Sequence, residues 1–167
     1  IQQLSRSDLS KGLLSGVFLA LHFATWISSL EFTSVASSVV LVTTTPLWVA
    51  LLSPLILREP IRRSVIVGLL ISMTGSVIVG MGNACDFKEG VLVCQAQIFG
   101  GQAMLGNFLA LFGAWMAAGY MLIGRQLRAR LNTISYTAIV YGIAALLLMV
   151  VVVFRSEPVF TYSRETY

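Results

Sequence analysis

Six side chains bring a hydrogen-bonding or aromatic group into stretches that are otherwise aliphatic: His22, Trp26, Thr44, Trp48, Asn107 and Trp115. His22 is the only histidine, and the only ionisable group inside any of the long apolar stretches. An imidazole is costly to place there, which makes it a candidate for solute binding or protonation. The plainer reading is a neutral ring hydrogen-bonded to a neighbouring helix. Trp26 follows one turn later on the same face, with Ser29 just beyond, and that face suits a cation or an aromatic ring. Thr44 and Trp48 share a second face. Pro46 between them removes an amide N–H and bends the helix, while threonine hydroxyls can serve the carbonyls so freed. A bent helix carrying hydroxyls and an indole fits a cavity wall, and equally any kinked helix. Asn107 and, two turns later, Trp115 complete the set; an asparagine in such a place also serves as a bridge between helices.

The elements that must position these groups follow from the apolar stretches Gly12–Leu30, Ser34–Leu57, Ser64–Gly82, Met104–Gly124 and Ile134–Phe154. Each is close to the roughly 20 residues that cross a hydrocarbon core about 30 Å thick. All but the first contain no Asp, Glu, Lys, Arg or His. In lipid the backbone must satisfy its own hydrogen bonds, so these segments are expected to be helices, and the fold class is an all-α polytopic membrane bundle with the lipid bilayer as its solvent. The composition agrees: 57% hydrophobic and 11% charged, against roughly 25% charged for an average soluble domain.

Alternating the ends of the five spans assigns Arg6, Lys11, Arg58, Arg62, Arg63, Arg125, Arg128 and Arg130 to one side, and only Lys88, Arg155 and Arg164 to the other. That bias places the N-terminal end and the Arg58–Arg63 and Arg125–Arg130 turns in the cytoplasm, most simply of a cell or inner membrane. Within the first turn, Glu59 is expected to act as a cap and to pair with Arg62 or Arg63, and Pro60 suits the start of the next helix. Cys85 and Cys94 both fall in the loop Asn83–Ala103, on the side where disulfides survive. With a turn signal at Glu89-Gly90 and a β-prone run between them, a disulfide-closed hairpin is expected; two unlinked thiols are the alternative. Small residues at four-residue spacing mark faces where helices pack closely: Gly12 and Gly16; Gly68, Ser72, Ser76 and Gly80; Gly106, Ala110, Ala114 and Ala118.

Several function classes are disfavoured. The formal charge of +4 sits in short turns without interleaved aromatics, so nucleic acid is not an expected partner. Ser15 and His22 share a face but stand about 10 Å apart along the helix, too far for a serine–histidine couple. One histidine and two loop cysteines make a poor metal set, no phosphate-binding glycine loop is present, and no cofactor or enzymatic activity is expected. A cation channel would want carboxylates along the spans, which have none. A purely structural membrane protein would show packing faces without a solvent-accessible polar cluster, and that alternative stays open.

The order of the short motifs resembles the EamA-type branch of the drug/metabolite transporter superfamily. The likeness runs through Gly16-Val-Phe-Leu-Ala-Leu-His-Phe-Ala-Thr-Trp26, Ser29-Leu-Glu-Phe-Thr-Ser34, Ala36-Ser-Ser-Val-Val40, Thr45-Pro-Leu-Trp48 and Arg58-Glu-Pro60, then Gly68 and Gly75. It implies ten helices in two inverted five-helix repeats around a central cavity. Residues 1–82 would then be the last three helices of the first repeat, 83–103 an extracytoplasmic loop, 104–154 the first two helices of the second repeat, and 155–167 a further loop. On that template the chain, which begins at Ile1 without a Met, is part of a longer protein whose other helices are its partners; a homodimer is left open. The resemblance further implies alternating-access movement, mostly outward, of a small organic metabolite or drug, with the six residues above lining its path.

Overall fold

The computed structural model describes residues 5–88, 91–94 and 101–155, and these form six helices and one short hairpin. Helix α1 spans Arg6–Ser29, α2 Val35–Val42, α3 Thr45–Ile56, α4 Arg63–Ala84, α5 Gln102–Arg128 and α6 Thr133–Arg155. Strands β1 (Cys85–Lys88) and β2 (Val91–Cys94) pair antiparallel between α4 and α5. Among the described residues, α1, the continuous stretch Val35–Ile56, α5 and Thr133–Phe154 are each long and apolar enough to cross a membrane. The apolar part of α4, Arg63–Val79, is shorter. Large aliphatic side chains lie open along the outer faces, with Leu55 at 77% and Ile134 at 83% exposure. A surface of this kind belongs in lipid, and the fold is a polytopic membrane helix bundle.

Helix α1 begins well before its apolar stretch because Ser5 and Asp8 close its start. The Asp8 amide donates to the Ser5 hydroxyl at 3.1 Å, and the Ser5 amide donates back to the Asp8 carboxylate at 3.3 Å. Two otherwise unpaired donors are thereby satisfied.

The second apolar stretch is two helices, not one. Pro46 in the first turn of α3 has no N–H for the Val42 carbonyl, and the Thr45 hydroxyl donates there instead at 2.7 Å. Thr44 and Thr43 do the same for Leu41 (2.6 Å) and Val40 (3.0 Å). Three consecutive threonines therefore hold the carbonyls at the break, which is how such an interruption is tolerated inside a membrane.

Helix α5 is the hub, touching α1, α2, α3 and α6, with α1 lying along it most extensively. Small residues permit this. A Cβ at Gly106 would come 2.8 Å from the backbone of Thr33, and one at Gly113 would sit 3.2 Å from the Thr25 hydroxyl. At the other face of α1, a Cβ on Gly16 would lie 2.7 Å from Ile143 of α6. Leu19 and Ala20 of α1, Leu127 of α5, Leu131 just beyond it, and Tyr136, Val140 and Ala144 of α6 form the buried apolar core. The stripe expected on α4 behaves differently at Gly68, where an added Cβ meets nothing within 4 Å; the same holds at Gly75, outside that stripe. Among the described residues that helix packs mainly on α2, α3 and the hairpin, and Gly68 and Gly75 lie in open space.

The basic turns gather at one end of the bundle. Lys11 donates to Gln126 at 3.3 Å, Asp8 stands 4.0 Å from Arg130, and Glu59 pairs with Arg125 at 2.5 Å. These contacts tie the start of α1, the α3–α4 turn and the end of α5 together. The expected pairing of Glu59 with Arg62 or Arg63 is thus corrected. Arg58 adopts a left-handed conformation (φ 57°) just past the end of α3, and after this reversal Glu59 meets α5, while Arg62 and Arg63 stay exposed.

Candidate functional site

Two pairs of the expected residues converge on one turn of α5, Gly113–Trp115. On α1, the rings of His22 and Trp26 stack with centroids 5.6 Å apart. The His22 Nδ1 lies 2.9 Å from the Gly113 carbonyl oxygen. A carbonyl only accepts, so Nδ1 carries the proton, and in the neutral ring Nε2 is the accepting nitrogen. Gly113 allows this approach because Trp26 and Thr25 occupy the space that a side chain there would need.

On the other side of α5, the break before α3 presents Thr44 and Trp48. The Trp48 indole N–H donates to the Thr44 hydroxyl at 3.1 Å, and that hydroxyl donates onward to Leu41. The Trp48 ring meets Trp115 edge to face at 5.4 Å. Thr45 reaches the Ala114 carbonyl at 3.5 Å, pinning the start of α3 to the same turn of α5. Phe108 and Phe112, at helical spacing before Trp115, extend the aromatic cluster with T-shaped contacts at 6.4 Å. Their helical spacing is present in the sequence, but phenylalanine has no polar group to distinguish a site residue from a packing one.

Asn107 stands apart. It accepts from the Thr33 hydroxyl at 2.8 Å, tying the start of α5 to the α1–α2 connection. Eight residues separate it from Trp115, about 12 Å along the helix. A further buried hydroxyl pair, Ser29 and Ser38 at 2.6 Å, joins α1 to α2 nearby.

The centre holds two polar atoms without a partner. The indole nitrogens of Trp26 and Trp115 are both buried and make no hydrogen bond among the described residues. An orphaned donor costs about 1–3 kcal/mol in a water-excluded place, so an acceptor brought to it is held firmly. Chemically, the site offers indole donors, aromatic faces and an accepting imidazole nitrogen. It contains no nucleophile–base couple, and among the described residues no group of His, Cys, Asp or Glu side chains could hold a metal.

Cys85 and Cys94 occupy directly opposed positions in the β1–β2 register; their side chains lie outside the described residues. Pro46 sits at the helix break, as described above.

The fold is that of a polytopic α-helical membrane protein, with aromatic and hydrogen-bonding side chains gathered around one turn of α5. Residues 1–81 match the model of the EamA-like transporter family. No significant match was found among curated proteins or among solved structures.

Proposed function

We propose that the protein carries a small amphipathic organic solute outward across the membrane by alternating access, with the His22–Trp26 and Trp48–Trp115 pairs forming the contact surface at mid-membrane. The observation that carries this reading is the pair of buried, unpartnered indole donors of Trp26 and Trp115 on the helices beside a hydroxyl-lined break. A solute with a carbonyl or carboxylate oxygen and an apolar body would satisfy them. The match of residues 1–81 to the EamA-like transporter family supports the same reading. In this account the basic end faces the cytoplasm of a cell or inner membrane, the repeat and loop divisions at residues 82, 103 and 154 apply, and further helices of the full-length chain complete the path. Opposed strand positions support a Cys85–Cys94 disulfide; a mobility shift on reduction is the expected sign.

Trp115→Phe in the full-length protein tests the reading, since it keeps an aromatic ring and deletes only the donor. Transport of the solute at low concentration should fall about 5- to 30-fold, the equivalent of about 1–2 kcal/mol. A variant that transports normally and melts at a higher temperature would mean the indole serves packing alone. Trp26→Phe should behave in the same way.

A further inference from the structure

A concavity lies between α3, α4 and α5, running from Pro46 toward the basic end. Its volume is about 410 Å³, within the roughly 300–1,000 Å³ of ligand pockets. Val49, Ala50, Val65, Leu69 and Met121 make its walls apolar, and Pro46 marks its deep end. From Pro46 to Ser53 it follows α3 for about 10 Å. At the basic end it is lined by three charged side chains, Glu59, Arg62 and Arg125.

We infer that this cavity binds an amphipathic organic anion, one carboxylate on an apolar body, with Arg62 and Arg125 receiving the carboxylate. The charges at the mouth decide the sign. Glu59 is already neutralised by Arg125, through one guanidinium nitrogen, Nη2. A guanidinium has five N–H donors in a planar fork, so Arg125 retains capacity for a second oxygen. Arg62 makes no ion pair among the described residues. The lining therefore carries one uncompensated positive charge. An amine would meet that charge with no free carboxylate to receive it, and an alcohol would leave the charge unmatched. The Ser53 hydroxyl proton is committed to the Val49 carbonyl at 2.7 Å, which leaves its oxygen as an acceptor and no further donor inside the wall. The head group thus belongs at the arginines and the apolar body along α3, pointing toward Pro46 and the site above. The site's role as an entry point rests on the transport reading; its ligand class does not.

The test uses the full-length protein in nanodiscs of neutral phosphatidylcholine, with 3-phenylpropionate, 3-phenylpropylamine and 3-phenylpropanol as probes that differ only in head group. Equilibrium dialysis should show saturable retention of the carboxylate and at least tenfold weaker retention of the other two. Arg62→Gln should weaken carboxylate binding about tenfold without changing the thermal unfolding profile, since Arg62 holds no described ion pair, and Arg62→Lys should restore part of it. Glu59→Gln should bind at least as well as the parent. Equal retention of all three probes, or an unchanged affinity in both Arg62→Gln and Arg125→Gln, overturns the proposal. So does displacement of the carboxylate by phosphatidylglycerol at constant ionic strength, which would assign the place to a lipid head group. Because binding is read without transport, loss of this site and failure of the Trp115→Phe prediction are separate outcomes.

Discussion

His22 shows how far a single residue's role could be anticipated. An ionisable ring in an apolar stretch pointed either to a solute or to a neighbouring helix, and the neighbour's carbonyl, Gly113, was legible only once α1 and α5 lay side by side. The Thr44–Trp48 bond, by contrast, follows from four-residue spacing on one face and needed no tertiary knowledge. It also yields a prediction. Thr44→Val removes the acceptor of a partly buried indole and should destabilise the detergent-solubilised protein by about 1–3 kcal/mol, whereas Thr44→Ser should be close to neutral. Thermal unfolding followed by tryptophan fluorescence separates the two. Arg62, expected from the sequence as a partner for Glu59, took on a different role once Glu59 proved to pair with Arg125.

Among the elements, the spans were legible because lipid imposes one rule on them, and the rule writes itself as apolar length. What length does not encode is which small-residue faces are occupied. Gly16 and Gly68 look alike in the sequence, yet one abuts Ile143 and the other meets nothing within 4 Å. Gly16→Leu should therefore force α1 from α6 and cost about 1–3 kcal/mol or more, while Gly68→Ala should be neutral or stabilising by up to about 1 kcal/mol through helix propensity. Paired melting curves of the two variants check this contrast. The turn after α3 offers a third case. Arg58 holds a left-handed conformation that glycine adopts without penalty, so Arg58→Gly should raise stability by up to about 1 kcal/mol. A fall in melting temperature would show instead that the arginine side chain is needed at that turn.

For the whole molecule, alternation of charge across the spans anticipated which turns would meet, and the contacts of Lys11 and Glu59 with α5 and of Asp8 with Arg130 bring those turns to one end. The cavity beside them was not legible, because its walls come from three helices and its mouth depends on the path of a single turn. Replacing Glu59 by Arg and Arg125 by Glu together should restore any stability lost in either single variant, although a half-exposed pair of this kind contributes about 0–1 kcal/mol. The two rims of the bundle are also fastened by different materials. Among the described residues one rim is stitched by charged groups, and the opposite rim by the neutral Thr33–Asn107 bond and the close seating of Gly106. Added salt shortens the reach of exposed charges to about 3 Å at 1 M and leaves neutral bonds largely alone. Ionic strength is thus a one-sided solvent for this fold: amide exchange should quicken around Arg125–Arg130 in concentrated salt while the Thr33–Asn107 rim keeps its protection.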